Sequence, residues 1–250
     1  MVTKEGGTGQ LYPRVPIDVL PYNVLLEIFE FYLDKDDPNE FGYGHNYDGW
    51  QTLAHVCRTW RRIMFDSPRR LDLKLYCTRQ RSVNSKMLDI WPALPIVIAA
   101  RDIQSKEDLT NIIAALRHHN RVCKIYYSNI QFRGCLLKEI ITVAMDEPFP
   151  ALTSLELYSD QQQNVPVLPD SFLGRYAPCL RSLHLDGIPY PSIGTLLSTT
   201  TNLVRLSLCN IPHSGYIAPE TIIPCLSTLA RLESLVLQFQ HPRSHADLAS

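Results

Sequence analysis

The sequence predicts a two-part chain of the α+β or α/β class. A small helical unit comes first, and an array of parallel strands and helices follows. Three observations predict this. Two strongly apolar helical stretches, 20–33 and 50–63, lie close together near the start. From about residue 90 a short pattern, L-x-x-L-x-L, returns again and again. Helix-like segments separate its copies.

Residues 1–15 are polar and Gly-rich, a composition that predicts disorder. A compact helical unit is expected from 16 to 70. Pro21 suits the first turn of a helix, where its missing N–H costs nothing. Beyond it, Leu25, Ile28, Phe29, Tyr32 and Leu33 recur at helical spacing and predict one continuous apolar face. Glu27, Glu30 and Asp34 fall away from that face. The stretch DKDDPNEFGYGHNYDG then breaks the pattern with Pro, Gly and Asn and predicts a loop.

A second helix is predicted from about Asp48, which forms a capping box with Gln51 three residues on. Its apolar positions are Trp50, Leu53, Cys57, Trp60 and Met64, flanked by Val56 and Ile63. His55, Arg58, Thr59 and Arg62 form the outer side, and Pro68 marks the end. Residues 71–93 are assigned to a linker.

From 94 to 250 the chain repeats itself. Four segments carry the full pattern: Leu152, Leu155, Leu157; Leu180, Leu183, Leu185; Leu203, Leu206, Leu208; and Leu232, Leu235, Leu237. Imperfect copies are Val122, Ile125, Tyr127 and Leu94, Val97, Ala99. Their starts lie 23 to 30 residues apart. A period in the twenties with this signature marks a leucine-rich repeat. Each copy is a short strand whose alternate residues point into a core. One strand cannot bury that face alone, so neighbours must stack into a solenoid. Strands are expected on the concave side and helices (106–119, 136–145 and 191–199) on the convex side. The repeats are degenerate. Three residues past the last Leu, where Asn or Cys is frequent, stand Ile130, Asp160, Ile188, Ile211 and Gln240. The pattern also stops at 250 without a polar closing segment, which predicts a truncated product or a longer natural chain. The stretch from Leu232 to Phe239 is then expected to be poorly protected.

Of the 250 residues, 45% are hydrophobic and 20% charged, with a net charge of −1. Lys and Arg are dispersed, so electrostatics predicts neither nucleic-acid nor anionic-membrane binding. No run approaches the roughly 18 apolar residues of a membrane span. The N-terminus lacks the apolar stretch of a signal peptide, and no N-x-Ser/Thr acceptor occurs. The seven cysteines are scattered without a C-x-x-C pair. They predict buried reduced thiols, and hence the cytoplasm, the nucleus or both, rather than a disulfide or zinc framework.

The helical unit resembles an F-box. The residues that carry the resemblance are Leu20, Pro21, Leu25, Ile28, Phe29 and Leu33, then Leu53, Val56, Cys57, Trp60, Arg61 and Ile63, then Pro68. With the repeats behind it, the chain looks like a fungal-type F-box protein with C-terminal leucine-rich repeats. The resemblance implies an adaptor subunit of a Skp–cullin–F-box ubiquitin ligase. The F-box would complete its core against a Skp-family adaptor, which is held by a cullin with its RING subunit. The repeats would hold a protein substrate near activated ubiquitin, so catalysis is by proximity. By this resemblance Leu20, Pro21, Leu25, Ile28, Leu53, Val56, Cys57 and Trp60 belong to the adaptor contact.

On the concave face, strand positions between the core leucines include Lys124, Tyr126, Glu156, Tyr158, Arg181, His184, Asp186, Arg205, Ser207, Glu233 and Gln238. Tyr126, Tyr158, His184 and Arg205 are the candidates for substrate contact. No catalytic residue, cofactor or metal site is predicted. GGTG at 6–9 lacks the G-K-Ser/Thr ending of a P-loop. His118 and His119 are adjacent and do not share a helix face. Cys57 has no base assigned to it, and no G-x-S-x-G occurs. A repeat scaffold without any ubiquitin linkage, its helical unit serving only as a cap, remains the alternative expectation.

Overall fold

The computed structural model describes residues 20–33, 49–78, 88, 93–101, 106–129, 140–141, 145–159 and 165–240. The predicted disordered segment 1–15, the loop after 33 and the capping residue Asp48 lie outside them. The chain divides into two compact units, one ending at Asp72 and the other beginning at Leu73.

Among the described residues the first unit holds three helices: α1 (Tyr22–Leu33), α2 (Gly49–Val56) and α3 (Arg58–Asp66). The single helix expected across 50–64 is in fact two. Cys57 leaves the helical region at φ −157°, ψ 171°, and its Sγ accepts a hydrogen bond from the Trp60 N–H. The chain therefore restarts a helix there, with Cys57 as the capping residue. Arg61 closes the other side of the break, its Nε–H donating to the Ala54 carbonyl at 2.9 Å. A basic side chain thus satisfies a carbonyl that α2 leaves free at its C-terminal end. Periodicity did not show the break, because apolar spacing runs through it unchanged.

Among the described residues the second unit is built on one sheet of seven parallel strands in sequence order. They are β1 (Leu75–Thr78), β2 (Ile96–Arg101), β3 (Val122–Asn129), β4 (Ser154–Ser159), β5 (Ser182–Asp186), β6 (Arg205–Ile211) and β7 (Ser234–Phe239). Three helices are described between strands: α4 (Lys106–Leu116), α5 (Ile193–Leu197) and α6 (Pro219–Ser227). The segment read as a linker supplies β1, whose Leu75 and Cys77 alternate inward like the later leucines. Of the helix expected over 136–145, the helical positions described are 140 and 141. α4 ends at Leu116 rather than 119. His119 lies beyond it, bonded through Nδ1 to the Pro148 carbonyl at 2.8 Å. α6 was not among the expected helices. Pro219 stands in its first turn, and Pro224 removes one bond inside it.

Register explains the leucines. Cys77, Ile98, Ile125, Leu155, Leu183, Leu206 and Leu235 stand side by side across the strands. A second row is Ala100, Tyr127, Leu157, Leu185, Leu208 and Leu237. On β2 the rows run through Ile98 and Ala100, one position away from the expected Val97 and Ala99. A register shift between Ile96 and Val97 moves them, and all four side chains are buried. α4 packs on β1 and β2, and α5 packs on α6. In the last strand Leu235 and Leu237 remain 44% and 37% exposed, although β7 pairs with β6 on both sides of a register shift between Leu208 and Ile211.

Of the described positions three past the last leucine, Ile188 and Ile211 are buried and Gln240, after the last strand, is exposed. An apolar row therefore takes the place of an asparagine ladder. One residue earlier the backbone turns left-handed, at Gly187 (φ 69°) and at Asn210 (φ 49°). These two positions are equivalent in successive repeats. Asn is among the few residues that tolerate this region, and the Asn210 amide also donates to Asp186 Oδ1 at 2.8 Å. At Gly187 an added Cβ would lie 2.2 Å from the Ser159 carbonyl oxygen. Gly187→Ala is therefore expected to destabilise the second unit by about 2 kcal/mol or more. Asn210→Gly should change stability by about 1 kcal/mol, the scale of one hydrogen bond. Thermal melts of the two variants check this, and equal effects would contradict the assignment of the turn.

Candidate functional site

The helical unit closes around an aromatic centre. Phe29 of α1 and Trp60 of α3 meet at 4.8 Å between centroids, with their planes tilted by 59°. Trp50 of α2 meets Phe65 of α3 at 6.1 Å, edge to face. Leu25, Leu26, Leu53, Ala54, Ile63 and Met64 complete the interior. Trp60 Nε1 is buried without a hydrogen-bond partner among the described residues. Two polar contacts tie α1 to the end of α3. The Tyr22 and Ser67 hydroxyls lie 2.7 Å apart. Arg70 donates twice to the Glu30 carboxylate, at 2.6 and 3.1 Å. The Arg70 hydrogen bond holds the Glu30 carboxyl below its ordinary range. The pair is exposed, so it orients more than it stabilises.

α1 carries more apolar surface than this core uses. Leu25, Leu26 and Phe29 are buried and point one way. At about 100° per residue, the apolar arc runs on through Tyr32, Ile28 and Val24 to Phe31, roughly 220° in all. Most of the added sector lies in solvent: Phe31 is 75% exposed, Tyr32 44% and Ile28 40%. Val56, at the end of α2, is 55% exposed.

The expected continuous face of α1 thus divides in two. Leu25 and Phe29 face inward, whereas Ile28 and Tyr32 face outward. The inward direction is set by Leu26, which lies on the other side of Leu25 and Phe29 from Ile28. Among the residues assigned to adaptor contact, Pro21, Ile28 and Val56 are exposed, and Leu20 and Cys57 are half-buried. Leu25, Leu53 and Trp60 belong to the interior. Phe31, the most exposed large apolar side chain among the described residues, is not one of those assigned to adaptor contact. The signal for it lay in the sequence, as an apolar arc wider than a stripe that one core can cover.

On the sheet the four candidate substrate contacts share the face opposite the leucine rows. Tyr126, Glu156, His184 and Ser207 stand in register across β3 to β6. Lys124, Ser154, Ser182 and Arg205 form the row before it, at the strand starts. Tyr158 pairs with Asp186 in the row after. Tyr158 and Arg205 are exposed, and Tyr126 and His184 half-buried. Arg181 and Glu233 immediately precede β5 and β7 rather than lying within them. On β2 the corresponding side chains, Val97 and Ala99, are buried, so the accessible face begins at β3.

Among the described residues, no group of three or more His, Cys, Asp or Glu is placed to hold a metal ion. Burial pushes the Cys77 thiol up to about 12, so it stays protonated at neutral pH. Among the described residues, no helix is long and apolar enough to cross a membrane.

The F-box-like family model matches residues 17–74, a span that takes in all three helices of the first unit. That unit is an F-box-like domain, and the chain carries a seven-stranded parallel sheet behind it. No curated protein matches the chain.

The interior and the outer face of α1 should respond differently to truncation. Phe29→Ala is expected to destabilise the domain by about 3–5 kcal/mol, the range for a buried aromatic. Phe31→Ala should stay within about 0.5 kcal/mol of the parent. Chemical denaturation followed by tryptophan fluorescence reads both. A large loss for Phe31→Ala would show that it packs inside the domain.

Proposed function

We propose that the protein is the substrate-receptor subunit of a cullin–RING ubiquitin ligase. The F-box-like domain docks on a Skp-family adaptor, and through it on the cullin and RING subunit. The observation that carries this reading is the exposed outer sector of α1, Ile28, Phe31 and Tyr32, within a segment that matches the F-box-like family. A partner helix laid on that sector would bury apolar surface that stays accessible in the isolated chain. The full burial of one such aromatic is worth about 1.5–3 kcal/mol.

In this reading the second unit is a degenerate leucine-rich-repeat solenoid. Its polar face, with Tyr126, Tyr158, His184 and Arg205, receives a protein substrate. Sequential parallel strands with leucines in register support the repeat assignment. The receptor performs no chemistry of its own and raises the effective concentration of substrate at ubiquitin. Its place of work is the cytoplasm, the nucleus or both. Neither nucleic acid nor a membrane enters the mechanism.

Co-expression with a Skp-family adaptor tests the proposal. The parent chain should co-purify with the adaptor in a stable complex. Phe31→Asp combined with Ile28→Ala should abolish capture while leaving the melting temperature near that of the parent. Absence of capture by the parent, where a reference F-box protein binds, would instead favour a repeat scaffold with no ubiquitin linkage.

A further inference from the structure

We infer that the polar face of the sheet receives an extended acidic segment of a partner protein, with carboxylates four residues apart, lying across the starts of β3 to β6. The inference deepens the reading of this face as the receptor surface and rests on it. Its basis is the register. Lys124, Ser154, Ser182 and Arg205 are lateral neighbours on four consecutive strands. The ladder side of the same strands is filled by Ile125, Leu155, Leu183 and Leu206. Alternation therefore directs all four polar side chains to the opposite face.

The row has a cation at each end and two hydroxyls between. Neither Lys124 nor Arg205 makes a salt bridge among the described residues. Three strand spacings of about 4.8 Å separate them by roughly 14 Å. An extended chain advances about 3.3–3.4 Å per residue, so side chains at positions i and i+4 lie roughly 13 Å apart and on one side. The two lengths match. Two carboxylates at that spacing reach both cations at once, and the half-buried Ser182 between them offers a hydrogen bond, whereas Ser154 is buried.

The acids of the face restrict where such a segment can lie. Glu156 stands two residues, about 7 Å, beyond the row, and Asp186 two residues further on along its own strand. Both repel a carboxylate displaced toward the strand ends. The buried Val97 on β2 closes the row on one side of Lys124. Beyond Arg205 the row continues to the uncharged Ser234. One position along the strands therefore favours an acidic segment, and the next disfavours it.

The test is selection of random linear peptides displayed on phage, panned against the immobilised full chain in about 0.05 M salt, where charge pairs are little screened. Recovered sequences should be enriched in Asp or Glu pairs four residues apart. Recovery of such peptides should fall about tenfold on Lys124→Gln/Arg205→Gln, the scale of losing two exposed charge pairs. Lys124→Glu/Arg205→Glu should turn the selection toward Lys and Arg pairs. Arg205→Gln alone, at an exposed position, carries the same test should the double variants melt early. Recovery of peptides without acid pairs overturns the inference, as does equal recovery of acidic peptides on the parent and the Gln variant. Loss of the acidic selection with adaptor capture intact removes this inference alone. Loss of adaptor capture with the acidic selection intact removes the ubiquitin-ligase reading alone.

Discussion

A parallel strand in this sheet can neither satisfy its backbone nor hide its leucines without a neighbour in the same register. That constraint organises the second unit. Once Leu155, Leu183 and Leu206 align, every alternate side chain is committed to the other face. The polar rows on that face are thus a by-product of apolar packing. The left-handed turns at Gly187 and Asn210 keep the repeats in step, because each returns the chain to the core at the buried Ile188 or Ile211. At β7 the same constraint goes unmet. Its backbone pairs on one side, and Leu235 and Leu237 have no following layer among the described residues.

The helical unit solves a smaller packing problem with fewer parts. Three short helices around Phe29, Trp60 and Trp50 can cover only part of α1's circumference. The break at Cys57 matters here. By ending α2 and starting α3 in a new direction, it lets Trp60 reach Phe29 while Val56 stays outside. A continuous helix would have carried Val56 and Trp60 along neighbouring positions of one face. The excess apolar sector of α1 is therefore a property of the arrangement as well as of its composition.

Much of this was legible in the residues. The L-x-x-L-x-L pattern located β3 to β7, since period-two alternation survives any detail of the connections. β1 fell in the segment assigned to a linker because Asp72 stands where the pattern's first Leu would fall, although Leu71, Leu73, Leu75 and Cys77 alternate. The register of β2 was misread by one because Ile96 to Ala100 is apolar throughout, and alternation carries no signal where both faces are buried. On α1 the spacing of Leu25, Ile28, Phe29 and Tyr32 fitted one stripe. Only Leu26, packed inward, shows that the stripe is two.

By itself the sequence determined that the chain has a greasy helical start and a repeating strand array, because both signals are periodic and local. It also determined the types of side chain on offer to partners. Tertiary structure decided which apolar residues of α1 are spent on the interior and which are left outside, since that depends on the angle at Cys57. It also decided that Lys124 and Arg205, far apart in the chain, stand in one row. Register is a relation between strands, and no single strand contains it.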